Sequence, residues 1–139
     1  ELGNKMEILG LNSQLKKDRI YSVYIEANGN EGYGSSDPYE CWETEFCGKI
    51  NCTKDVELTS DLIYDTLDVY WVNYQFTRVE FKDVTEQVKK LENLRNELDN
   101  FDWDNKSFED WSELDDKFNE LDINTFPHFM GSIELEKTI

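Results

Sequence analysis

Hydrophobic periodicity changes character partway along the chain, and that change restricts the fold more than any other feature. Val84, Val88, Leu91, Leu94 and Leu98 recur at spacings of three and four, which puts them on one face of a helix over about 83–100. Glu86 and Lys90 stand four apart between them, in the order that supports a helix. A second stripe, Phe108, Trp111, Leu114, Phe118 and Leu121, keeps the same period. It follows Ser107, which with Asp110 three residues on resembles a capping box, so a second helix is expected over about 108–121. Pro127 stops any continuation.

Before residue 84 the period is two. Residues 20–27 are rich in β-branched and aromatic types, and 28–38 are dense in Gly, Asn, Ser, Asp and Pro; together they read as a strand followed by a long loop. Over 39–50, Tyr39, Cys41, Glu43, Glu45 and Cys47 share one parity, and Glu40, Trp42, Thr44 and Phe46 the other. That is a half-buried strand, expected to pair antiparallel with the one before it. Residues 6–11 suit a short first strand and 132–138 a closing one. Thr59 or Ser60 followed by Asp61 signals a short helix carrying Leu62, Ile63 and Leu67. Over 69–81 both parities carry apolar groups, the pattern of a long central strand covered on both faces. The expectation is an α+β fold: one domain over 1–139, with an antiparallel sheet from the N-terminal half packed against two C-terminal amphipathic helices.

Composition fits that reading. A chain of 139 residues suits one core, and 14% aromatic residues argue against intrinsic disorder. No apolar run reaches the roughly 18–20 residues of a membrane-spanning helix, and the start Glu1–Met6 lacks a basic stretch followed by an apolar one. A signal already removed would leave no trace. Cys41, Cys47 and Cys52 are an odd number in one stretch, which favours free thiols in a reducing, cytoplasmic setting over a disulfide framework. With His128 they make four nominal zinc ligands, but no tight C-x-x-C pair is present. Asn51-Cys52-Thr53 and Asn105-Lys106-Ser107 fit the glycosylation sequon, a pattern common by chance in an Asn-rich chain.

Charge dominates the functional reading. Against 14 basic residues stand 31 acidic ones, a net charge of −17. Such a field repels nucleic acid and anionic membranes and favours a basic protein partner. Ten acids and two lysines lie between Asp99 and Asp122, a local charge of −8. The candidate partner-binding residues are Asp99, Asp102, Trp103, Asp104, Glu109, Asp110, Glu113, Asp115 and Asp116, with Trp103 as an aromatic anchor inside a charged rim. The plain alternative is an ordinary solvated helix face.

Other chemistries are weaker. Asp102, Asp104 and Glu113 fall at positions 1, 3 and 12 of a calcium loop, yet Lys106 occupies a ligand position and Ser107 replaces the turn glycine. No nucleophile-elbow, phosphate-loop or H-E-x-x-H motif is present, so no catalytic residue, metal or cofactor is assigned. A small-ligand pocket of Tyr33, Tyr39 and Trp42 around the glycine-rich loop is the competing reading. In composition, though in no alignable motif, the chain resembles small acidic bacterial immunity proteins, antitoxins and phage-encoded inhibitors of defence nucleases. That resemblance implies carboxylates presented to the basic groove of a nuclease, toxin or defence effector.

Overall fold

The computed structural model describes residues 7–31, 41–67, 72–127 and 135–139. In chain order the elements are β1 (Ile8–Leu9), β2 (Gln14–Leu15), β3 (Arg19–Glu31), β4 (Cys41–Cys52) and β5 (Val56–Glu57), then α1 (Ser60–Leu67), β6 (Val72–Asp83), α2 (Thr85–Asp99), α3 (Phe108–Thr125) and β7 (Leu135–Thr138). The main sheet has five strands in the order β1-β6-β3-β4-β7, and β2 pairs with β5 in a separate two-stranded ribbon. The α+β class and the closing C-terminal strand hold. The sheet is mixed rather than purely antiparallel, because β7 runs parallel to β4.

One face of the sheet builds the core. Tyr21, Val23 and Ile25 of β3 lie opposite Ile50, Gly48 and Phe46 of β4, and Val23 and Ile25 also face Phe81 and Val79 of β6. Ile63 of α1 packs into this cluster together with Leu15 and Leu58, both fully buried. Thr59 starts α1 by accepting the Leu62 backbone N–H on its hydroxyl at 3.1 Å, the capping the sequence implies.

The opposite face is charged. Tyr24, Glu26, Glu45, Lys49, Arg78 and Glu80 share it by register. Lys49 lines a groove there with Val88 and Leu91 of α2 and Phe118 of α3, so the helical hairpin covers this face and α1 the other. Helix α2 is fixed at its start: Val84 N–H donates to the Ile20 carbonyl and the Thr85 hydroxyl accepts from Ile20 N–H, each at 2.8 Å. Asp83 closes the joint, accepting from the Thr85 hydroxyl at 2.6 Å and from Arg19 Nε at 2.7 Å.

Four expectations need correction. The central strand is β3, not the segment over 69–81. That segment, described from Val72, is not covered by apolar groups on both faces; its apolar parity switches at a bulge. Glu26 pairs with Arg78 and Ala27 with Phe76, leaving Thr77 extra. The extra residue resets the alternation, so Phe76 and Val79 both pack on the core although their parities differ. Finally, residues 28–31, read as loop, continue β3, and α3 runs one turn further than expected, to Thr125.

Deleting Thr77 restores strict alternation and turns Tyr74 and Phe76 toward the charged face. The expected loss exceeds about 3 kcal/mol in urea unfolding, the scale of emptying one buried aromatic site. Thr77→Ala, which keeps the bulge at an exposed position, changes stability by about 0.5 kcal/mol. Asp83 supplies a second test. Burial works to raise its carboxyl pKa, but the hydrogen bonds from Arg19 and Thr85 outweigh it and hold the value below the ordinary 3.8. A depressed carboxyl contributes stability above its unfolded value and loses it as pH falls through the lower folded value. Asp83→Asn therefore removes stability at neutral pH and flattens the decline below about pH 4, as read from urea midpoints across pH.

Candidate partner-binding surface

The α2–α3 turn is shaped by two of its acids. Asp102 accepts from the Asp104 backbone N–H at 3.2 Å and from the Asn105 side-chain amide at 2.7 Å. The Asn105 bond is the main influence that keeps the Asp102 carboxyl ionised to lower pH than usual. Ser107 and Asp110 then form the expected capping box: the Ser107 hydroxyl accepts from Asp110 N–H at 3.3 Å, and the Asp110 carboxylate accepts from Ser107 N–H at 3.0 Å. Both acids thus hold the turn that presents their neighbours.

What the turn presents is a ladder of four rings. Phe101 meets Trp103 edge-on at 4.7 Å between centroids, Trp103 stacks on Trp111 at 6.1 Å, and Trp111 stacks on Phe108 at 5.9 Å. Trp103 and Phe108 stand in solvent, 56% and 64% exposed, while Phe101 and Trp111 are half-buried. Trp103 and Phe108 are two of the five large hydrophobic side chains most exposed among the described residues. Lys106 Nζ lies 5.8 Å from the Phe101 ring centre.

The carboxylates divide into groups. Glu109, Glu113 and Asp116, with Glu120, succeed one another at spacings of four, three and four and are all exposed. They form one stripe of α3, directly opposite the half-buried Trp111, Leu114, Phe118 and Leu121. Asp102 and Asp104 flank Trp103 in the turn, and Asp99 ends α2 just before it. Asp115 departs from the stripe: it is half-buried beside the packed side and accepts from the Asn119 side-chain amide at 3.3 Å. The nine predicted residues therefore make a tip and an adjoining stripe, with Asp110 and Asp115 turned to other tasks. Sequence reasoning missed Phe108 as a surface group, and Phe101 and Trp111 as half-buried rings of the same ladder. Phe108 and Trp111 open the apolar stripe of α3, and their periodicity alone reads as core.

Concavities also lie elsewhere among the described residues. An open cleft of about 340 Å³ on the charged sheet face is lined by Glu26, Glu43 and Glu45 with Asn28, Thr44 and Thr77. Beside it the Tyr24 hydroxyl lies 2.7 Å from both Glu26 Oε2 and Glu45 Oε2. These bonds, Glu26 first, raise the phenol pKa far above its ordinary value. The sequence hid this cleft because its acids come from separate strands. The groove beneath the hairpin, about 300 Å³, mixes Lys49 and Arg95 with Glu92 and Asp122 around Val88, Leu91 and Phe118.

Of the competing ligand residues, Tyr33 and Tyr39 lie outside the described residues, as does the Trp42 side chain. His128 and the Cys41 side chain do too. Cys47 and Cys52, of opposite parity on β4, point to opposite faces of the sheet. No three His, Cys, Asp or Glu side chains gather as metal ligands among the described residues. No described helix is long and apolar enough to cross a membrane.

Ser107→Ala and Asp110→Ala are each expected to cost about 1 kcal/mol in urea unfolding. The double variant should cost less than the two together, since the bonds are reciprocal. Comparison with protein-family models, with curated proteins and with solved structures returned no match.

Proposed function

We propose that this protein acts by stoichiometric binding, without turnover, as an inhibitor of the immunity-protein, antitoxin or phage anti-defence type. Its partner is a basic protein whose nucleic-acid groove the carboxylates occupy. One observation carries the reading: exposed Trp103 and Phe108, joined through half-buried Trp111, adjoin the outward stripe Glu109, Glu113, Asp116 and Glu120 on the same hairpin. Rings supply contact area that a merely soluble surface avoids. The stripe supplies the long-range field that steers a cationic partner to those rings. The small-ligand reading, on Tyr33, Tyr39 and the Trp42 side chain, falls outside the described residues and draws no support from the described geometry.

The natural test partner is a basic protein encoded next to this one. Glu113→Gln, Asp116→Asn and Glu120→Gln together remove three stripe charges and leave the capping box and the rings intact. Association with that partner should slow about tenfold at low salt, with dissociation little changed. The difference should shrink as salt shortens the screening length. Unchanged association kinetics would remove the stripe from the binding surface.

A further inference from the structure

We infer that the aromatic tip is a receptor for arginine, with one guanidinium of the basic partner lying flat on the exposed rings of Trp103 or Phe108. The inference rests on the partner-binding reading and names the chemistry of its anchor. The chain already uses this contact internally: the Arg95 guanidinium sits 4.5 Å from the Phe118 ring centre and the Arg78 guanidinium 5.0 Å from that of Tyr24, while Lys106 stands off at 5.8 Å from Phe101. A planar, weakly hydrated guanidinium stacks on a ring face and keeps its edge N–H groups for carboxylates. Trp103 is flanked in the chain by Asp102 and Asp104, and Phe108 is followed by Glu109. The tip therefore offers ring face and carboxylate within one residue of each other. An ammonium gains the charge but not the stacking.

Two end-capped peptides of equal charge, hexa-arginine and hexa-lysine, separate stacking from charge when titrated calorimetrically into the full chain. The wild type should bind hexa-arginine about 3- to 30-fold more tightly than hexa-lysine. The double variant Trp103→Ala, Phe108→Ala should lose that preference and keep the weaker binding common to both peptides. Trp103→Phe in its place should restore part of it. Far-UV circular dichroism and thermal midpoints of the variants confirm that the hairpin persists. Equal affinities in the wild type would overturn arginine recognition and leave the charge-steered reading standing. A preference that survives in the double variant would place the arginine elsewhere, with the Glu26, Glu43, Glu45 cleft as the alternative seat, and would likewise overturn it. Absence of binding by either peptide would overturn the charge reading together with the inference.

Discussion

The placement of the helical hairpin depends on one carboxylate. Asp83 is the last residue of β6, and its two oxygens tie Arg19 on β3 and Thr85 on α2 to a single point. Ile20 completes the joint: its carbonyl accepts from Val84 N–H and its N–H donates to the Thr85 hydroxyl. Strand and helix meet here without a loop, so the direction of α2 is set at its first residue. Val88 and Leu91 then bury themselves, and α3 returns along α2. The tip at 100–107 is carried away from the joint by the whole length of α2, roughly 1.5 Å for each residue. That lever arm lets the exposed rings of the tip stand clear of the sheet.

The same architecture separates charge from core. α1 takes the apolar sheet face, where Tyr21, Val23, Ile25 and Phe81 are almost wholly buried. The charged face and the helical hairpin are left to hold the acids. A chain of net charge −17 repels itself when compact. Its dense apolar face and a limited set of ion pairs, Arg19–Asp83 and Arg78–Glu80 at 2.7 Å among them, offset that repulsion. The surface pairs contribute little individually. The core is what permits so much unbalanced charge.

Much of this architecture was legible in the sequence. The stripes of α2 and α3, the Ser107 cap and the alternation of β4 are local signals, and each appears where its period places it. The bulge at Thr77 was not legible, because one inserted residue is indistinguishable from a strand apolar on both sides until its partner strand is known. The two-residue strands β2 and β5 carry no periodic signal at all. For the surface, the charge density between Asp99 and Asp122 was plain, as was the anomaly of Trp103. Which carboxylates of α3 share a face follows from their spacing, but that Phe108 and Trp111 join Trp103 in one ladder depends on how the turn folds onto α3. Side-chain period alone does not reveal that a helix's first turn overhangs its neighbour.

A basic partner seated on this hairpin and one seated on the charged sheet face would protect different segments of the backbone. Hydrogen exchange of the chain, free and saturated with that partner, reads the contact surface directly. Exchange should slow over 99–120, across the turn and the first turns of α3, while Glu43–Cys47 of β4 remains unaltered. Protection confined to β3, β4 and β6 around the Glu26, Glu43 and Glu45 cleft, with the hairpin unchanged, would contradict the account.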